Sequence, residues 1–315
     1  MYVKIDCVAI LSLFFMGVIV LDMKNCYLCP RECKADRTVS KGYCGATDKI
    51  KIARASLHFW EEPCISGEKG SGTVFFSGCP LKCCFCQNYK ISDEAFGKEI
   101  SEERLSEIFL ELQEKGANNI NLVTASPYVP MIIKSLDMIK HKLNIPVLYN
   151  SGGYEKVETL RMLKGYIDIY LPDMKYIDYE VAEKYSSAKD YPDVNKKALD
   201  EMFSQVGKPV FDDNGIMKKG MIIRHLTLPN NFRDTEKVLR YIAEHFPEKE
   251  VLISLMSQYT PCHKAFSHKE ISRKISTLEY NKALDLAVSL GLTGFMQERS
   301  SAKEEYTPPF DLTGI

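Results

Sequence analysis

Three cysteines, Cys79, Cys83 and Cys86, stand in a C-x3-C-x2-C pattern within one short stretch of the chain. Three thiolates on one loop could hold three irons of a cubane [4Fe–4S] cluster, for which four cysteines are the usual ligands. A loop that offers three leaves one iron open, as a catalytic metal site keeps one position free. The alternatives are a zinc loop, which needs a fourth ligand, or a group of reduced, buried cysteines. Cys84 does not fit the spacing and is predicted to be a neighbour of the ligands.

The residues before these cysteines predict a buried strand followed by a tight turn. Thr73 to Phe76 are β-branched or aromatic, a composition typical of a short strand inside a sheet. Ser77-Gly78 follows, and glycine lets the backbone turn closely around a bulky cluster. The cysteines are therefore expected just past the carboxyl end of a first strand.

A second group of cysteines comes earlier in the chain: Cys26, Cys29, Cys33 and Cys44. Four thiolates so close in sequence suit a closed tetrahedral zinc site or a second [4Fe–4S] cluster. Zinc would staple a small N-terminal lobe, whereas a second cluster would carry electrons or hold substrate. Four reduced cysteines without metal are the third interpretation, and the residues alone leave all three open.

The composition favours a globular protein of a reducing compartment. The chain has 315 residues, a formal net charge of -1 and eleven cysteines, seven of them in the two groups. Such grouping indicates metal ligation rather than disulfides. An oxidising exterior would destroy an exposed cluster, so a cytoplasmic location is expected. There is no basic excess, so no nucleic-acid surface is predicted.

The first 22 residues differ from those that follow. Cys7 to Leu21 is apolar throughout, yet it is shorter than the roughly 20 residues that cross a bilayer. A signal or membrane anchor, a buried helix or strand pair, and translation assigned from an upstream start are three interpretations. The last, with Met23 as the true first residue, is preferred because export is hard to reconcile with the metal chemistry. Membrane attachment is therefore not expected.

Strands and helices alternate along the rest of the chain. Five further strands are predicted between helical 3–4 spacings of apolar residues, at 119–123, 145–149, 166–171, 221–226 and 251–256. Repeated βα units imply parallel strands with right-handed crossovers, and six units rather than eight give an incomplete barrel. The predicted fold class is α/β, a partial (β/α)6 TIM-like barrel with a small Cys-rich N-terminal lobe.

The expected organisation has four parts. They are an apolar extension at 1–22, the Cys-rich lobe at 23–70, the barrel at 71–300 and a tail at 301–315. Residues 51–70 are expected to connect the lobe to the barrel. Within the barrel, a helical stretch is expected to break at Pro192, and the Asn-Gly pair near residue 214 predicts a hairpin.

The three clustered cysteines, with the aromatic Phe85 directly before the last of them, resemble the radical S-adenosylmethionine (SAM) superfamily. In that family the open iron is chelated by the amino and carboxylate groups of SAM, and the aromatic residue lies near the adenine. The resemblance also implies a partial (β/α)6 barrel, the fold that the alternating pattern predicts independently.

Polar residues follow the predicted strands at their carboxyl ends, where a βα barrel has its active site. If SAM binds there, Asp173 would accept from its ribose, and Ser126 or Thr124 would contact its ammonium group. Arg224 would pair with its carboxylate, because a guanidinium meets a carboxylate in a bidentate fork. The alternative for each residue is a structural salt bridge or a helix cap.

Further segments are similar to the branch related to the pyruvate formate-lyase activating enzyme. They span most of residues 26–230 and are LCPRECKADR, SGCPLKCCFCQNY, NLVTASPY, YNSGGYE, DIYLPDMKY and RHLTLPN. The resemblance implies an oxidoreductase that takes an electron from reduced flavodoxin or ferredoxin, cleaves SAM to a 5′-deoxyadenosyl radical and activates a glycyl-radical enzyme. Two features depart from the simplest activating enzymes: Thr124-Ala125-Ser126 replaces a Gly-Gly-Glu-like motif, and the four-cysteine lobe is extra.

Two other functions are compatible with the same residues. Within the enzyme class, the radical would abstract hydrogen from a small molecule or a peptide. Outside it, the chain would be an Fe–S electron-transfer module that does not use SAM. Release of 5′-deoxyadenosine from SAM distinguishes the enzyme from the module.

Overall fold

The computed structural model of the chain describes residues 23–246, 250–297 and 307–315. The apolar extension expected at residues 1–22 lies outside these ranges, so its three interpretations stay open. Within the described ranges, no helix is long and apolar enough to cross a membrane.

A ten-stranded sheet organises the described chain, in the order β10-β9-β8-β6-β5-β4-β2-β1-β3, with β7 paired to β8. In this order β1 is Ile50–His58, β3 is Lys98–Ile100 and β7 is Val210–Phe211. Its parallel strands are β2 (Ser71–Phe76), β4 (Ile120–Val123), β5 (Val147–Ser151), β6 (Ile169–Pro172), β8 (Met217–Leu226), β9 (Leu252–Met256) and β10 (Gly294–Met296). All six strands predicted from the sequence are among them, which confirms the α/β fold. The short β10 adds a seventh parallel strand at one edge.

Helices cover one face of this sheet. The longer ones are α3 (Glu102–Glu114), α4 (Val129–Ile139), α5 (Val157–Met162), α6 (Tyr179–Ser186), α7 (Tyr191–Val206), α8 (Phe232–His245) and α9 (Thr277–Ser289). Strand residues such as Leu122, Tyr149 and Tyr170 share one large buried cluster with the helices. Because neighbouring strand residues point to opposite faces, Asn121, Asn150 and other alternate residues point into the barrel.

Two local predictions are confirmed, the second of them with a shift in position. The hairpin predicted around the Asn-Gly pair is confirmed, because β7 (Val210–Phe211) pairs antiparallel with the start of β8. The break predicted at Pro192 is confirmed, but it lies at residues 187–190, between α6 and α7. Pro192 lies in the first turn of α7, where the missing backbone N–H removes no intrahelical hydrogen bond.

Residues 50–58 form a strand, although most of them were expected to belong to a connecting segment. β1 (Ile50–His58) pairs antiparallel with β2, and β3 (Lys98–Ile100) pairs with the other edge of β1. An irregularity between Ile52 and Arg54 shifts the register, so buried positions do not alternate with a constant period of two. Strands on both sides of residue 70 therefore belong to one sheet, and the domain boundary expected at that residue stays a prediction.

A short helix closes one end of the barrel. α1 (Pro63–Ser66) buries Cys64 and Ile65 among apolar side chains of the central strands. Proline in the first turn of α1 favours a helix start at this point. The two residues before it, Glu61 and Glu62, are thereby carried into the barrel, where Glu62 is buried and 11% of the Glu61 side chain is exposed.

Candidate active site

A cavity lies at the carboxyl ends of the parallel strands, where a βα barrel has its active site. Its walls come from the loop after β2 and from the ends of β4, β5, β6, β8 and β9. The side chains that line it include Cys79, Cys83, Cys86, Phe85, Asp173 and Arg224. The fold therefore brings together residues that are far apart in the sequence.

The loop after β2 is held in a tight bend by backbone contacts. Gly78 has a φ of +91°, in the left-handed region that glycine tolerates. A Cβ at this position would lie 2.7 Å from the carbonyl oxygen of Cys44. The backbone N–H of Gly78 donates to Ile91 (2.7 Å), and that of Cys79 donates to Cys44 (3.0 Å). The expected role of this glycine in the turn is confirmed.

The three clustered cysteines face the cavity, and two of them accept hydrogen bonds from hydroxyl groups. Ser186 donates to the sulfur of Cys83 (3.0 Å), and Ser92 donates to that of Cys86 (3.2 Å). Hydrogen bonds to ligand sulfurs are one means by which proteins tune Fe–S clusters. Cys84 has a different environment: it is buried in an aromatic cluster and does not line the cavity.

The protonation of these thiols depends on whether a metal cluster is bound. Burial and the neighbouring cysteines raise the pKa of Cys79 well above its ordinary value and that of Cys86 to about 11. A bound metal would supply the positive charge that favours thiolates. No group of three His, Cys, Asp or Glu in the described ranges could hold a single metal ion. In a cubane each cysteine binds a different iron, so its ligands need not meet at one point.

A largely buried charged network also lines this cavity. The Nε of Arg224 lies 2.9 Å from Oδ1 of Asp173, and Lys175 bonds the other oxygen of that carboxylate at 2.5 Å. Arg224 also donates to Asn150 (2.6 Å) and contacts Glu61 (3.5 Å). Although burial opposes ionisation of Asp173, the two cations hold its pKa below the usual range. Asp173 is therefore an anion near neutral pH.

Lys175, Asn150 and Glu61 belong to this network, and none of them was assigned a role from the sequence alone. Lys175 could have been found, because it stands two residues after Asp173 at the same strand end. Asn150 is the penultimate residue of β5, so its place near the carboxyl end of that strand could have identified it as well. Glu61 carries no such signal, because it reaches the site only through the position of α1.

Thr124 and Ser126, the two candidates after β4, have different environments. Thr124 lines the cavity, whereas Ser126 does not and is fully buried. The hydroxyl of Ser126 donates to Glu155 (2.6 Å), which also accepts from Tyr149 (3.2 Å). Burial raises the pKa of Glu155 to about 7, although these hydroxyl donors oppose the shift.

Glu155→Gln is expected to change how stability depends on pH. The folded carboxyl holds its proton up to about pH 7, whereas the unfolded one releases it near its ordinary pKa of about 4.3. The wild type therefore loses stability relative to the variant as pH rises through this window, by roughly 3 kcal/mol in all. Urea unfolding of anaerobic protein between pH 4.5 and 8 measures this. Glu158→Gln, at an exposed position nearby, is the control. If the free energy of unfolding changes with pH in the same way in all three proteins, the raised pKa of Glu155 is contradicted.

A second opening reaches the barrel interior beside β9 and β10. Phe59, Glu62 and Phe295 are among its walls, and its lining shares Arg224, Met256 and Gln258 with the cavity. One carboxylate oxygen of Glu62 is buried and has no hydrogen-bond partner in the described structure. The interior can therefore be approached from two directions.

Comparison with known proteins identifies the fold and the family. The sequence model of the radical SAM superfamily matches residues 73–242. The uncharacterized protein MJ0674 of Methanocaldococcus jannaschii is 32% identical over 281 residues, which cover 85% of this chain and 76% of that protein. A radical SAM methyltransferase from Sphaerobacter thermophilus has a similar fold, with a TM-score of 0.50 and 11% identity, over 72% of this chain and 66% of that chain.

Proposed function

We propose, for a chain that belongs to the radical SAM superfamily, that Cys79, Cys83 and Cys86 hold the [4Fe–4S] cluster that this family uses. SAM would occupy the adjoining cavity. The observation that carries this proposal is the convergence of the three thiols with Asp173 and Arg224 on one cavity at the strand ends. When bound, the cluster and SAM supply a 5′-deoxyadenosyl radical by reductive cleavage of SAM.

The protein's own residues orient SAM and exclude water. Arg224 has five N–H groups, of which three bond Asp173, Asn150 and Glu61, so two are left for the carboxylate of SAM. Lys175 adds a second cation in the same network. Asp173 would accept from the ribose, Phe85 would pack near the adenine, and Thr124 or Ser126 would contact the ammonium group. Of the last two, the exposure of Thr124 to the cavity favours Thr124.

The substrate hydrogen would come from a group that enters through the second opening. That opening adjoins the cavity at Arg224, so a substrate there would lie beside SAM. The resemblance to activating enzymes favours a glycine loop of a glycyl-radical enzyme as this substrate, and a small molecule or a peptide is the alternative.

Reduced flavodoxin or ferredoxin is the proposed electron donor. Fe–S clusters can have reduction potentials as low as roughly −700 mV. A cluster with such a low potential needs a low-potential electron donor. The Fe–S electron-transfer module without SAM remains the rival function outside the enzyme class.

Anaerobic protein incubated with SAM and dithionite is expected to release 5′-deoxyadenosine and methionine, measured by liquid chromatography. A glycyl-radical enzyme added to this mixture should then give a glycyl radical in electron paramagnetic resonance (EPR) spectra. Release of 5′-deoxyadenosine without that radical would favour a small-molecule or peptide substrate. Protein with a full cluster that leaves SAM intact would contradict the proposed function.

A further inference from the structure

We infer that Cys26, Cys29, Cys33 and Cys44 hold a second iron–sulfur cluster, for which Arg37 supplies a buried counter-charge. The four thiols line one small cavity together with Arg37. This inference concerns a site separate from the three cysteines after β2, and it does not depend on which substrate the enzyme uses.

The N-terminal lobe brings its cysteines together without regular secondary structure. Residues 23–49, all of which the structure describes, contain no helix or strand, yet Cys26, Cys29 and Cys44 are buried. All four cysteines are free thiols. A Cβ placed on Gly42 would lie 3.4 Å from the sulfur of Cys44 and 3.6 Å from that of Cys33. A small segment of this kind usually needs a cross-link to stay folded, and a bound metal is one such cross-link.

Arg37 is a buried cation that lacks a carboxylate partner. Its side chain is among the largest that are fully buried, with the residue 1% exposed. Its guanidinium donates to the carbonyl oxygens of Thr47 and Pro127 (2.8 Å to the latter) and lies 3.9 Å from the sulfur of Cys26. Within the described ranges no carboxylate forms an ion pair with it. A guanidinium stays charged in proteins, and a buried charge requires a compensating one.

A cluster bound by four thiolates supplies that compensating charge. No group of three or more His, Cys, Asp or Glu in the described ranges could hold a single metal ion, but the four ligands of a cubane each bind a different iron and need not meet at one point. A cubane cluster with four cysteine ligands is anionic. Four neutral thiols would leave Arg37 without an anion. Binding of an anionic cluster would therefore give Arg37 the opposite charge that it lacks.

The proposed centre lies directly against the loop that carries the other three cysteines. The carbonyl of Cys44 accepts from the backbone N–H of Cys79 (3.0 Å). Arg31 donates to the carbonyl of Pro80 (2.9 Å), and Pro80 also lines the thiol cavity of the lobe. Metal in the lobe would thus fix the start of the loop after β2, and a cluster there would also be placed to exchange electrons with the first.

Metal and acid-labile sulfide analysis of the anaerobically purified full chain tests the centre. With about four irons per cubane, the expected result is about eight irons and eight sulfides per chain. Serine at all four lobe cysteines should reduce this to about four irons. About four irons per chain in the wild type, with or without zinc, would overturn the inference.

A variant that leaves the ligands in place tests the role of Arg37 as a positioning residue. Arg37→Gln is expected to release the lobe metal to a chelator at least about ten times faster than wild type, because the counter-charge is gone. Lys41→Gln, which removes an exposed cation of the same lobe, should release it at the wild-type rate. Equal rates for Arg37→Gln and wild type, in protein whose circular dichroism is unchanged, would overturn this part of the inference.

Discussion

Cys83→Ala protein is expected to lose the catalytic cluster and to release no 5′-deoxyadenosine above background. Only two of the three thiols on the loop would remain, and two ligands are too few to hold a cubane with a single open iron. The sulfur of Cys83 also accepts the hydrogen bond from Ser186. Iron per chain should fall by about four, measured by metal analysis of anaerobic protein, while the metal of the N-terminal lobe is retained.

The adjacent cysteine provides a matched control. Cys84 is buried and does not line the cavity, so Cys84→Ala removes a sulfur from the same loop without removing a ligand. It should keep its iron and its SAM cleavage, with only the modest loss of stability that a small cavity causes. Full iron content in Cys83→Ala, or equal iron loss in both variants, would show that the three-cysteine assignment is wrong.

Arg224→Met is expected to lose SAM binding and to be destabilised by about 3–5 kcal/mol, the usual cost of removing one partner of a buried ion pair. The guanidinium bonds Asp173 and Asn150 and contacts Glu61. Without it, Lys175 alone faces the buried carboxylates of Asp173 and Glu61. Urea unfolding measures the stability, and titration of reconstituted protein with SAM measures the affinity.

Arg233→Met is the control that shows whether loss of an arginine elsewhere in the chain has the same effect as Arg224→Met. Arg233 is exposed on α8, so its variant should unfold and bind SAM as the wild type does. Arg224→Lys restores a charge without the planar fork, and it should recover part of the stability but little of the affinity. An Arg224→Met protein that binds SAM normally would contradict the role given to this residue.

The parts of the fold that depend on local pattern could be predicted from the sequence. Each of the six predicted strands is short, apolar and followed or preceded by a helical pattern, so strand type and order were clear. β1 was missed because its register irregularity at Ile52 and Arg54 disturbs the alternation. β10 was missed because Gly294–Met296 is too short to show a period.

The residues of the candidate site also differ in whether the sequence alone could reveal them. Cys79, Cys83 and Cys86 were found by their spacing, and Asp173 and Arg224 by their places at strand ends. Glu61 could not have been found, because its contact with Arg224 spans 163 positions and depends on where α1 packs. The charge partner of the lobe cysteines, Arg37, was not found either, because its burial is visible only in three dimensions.

The central claim is that three cysteines present a cluster with an open iron to SAM, and EPR spectroscopy of the reduced protein tests it most directly. Addition of SAM should change the g values of the cluster signal, because SAM would become a ligand of that iron. The same addition should leave the spectrum of Arg224→Met nearly unchanged. A reduced wild-type cluster, fully loaded with iron, whose spectrum is identical with and without saturating SAM would contradict the account.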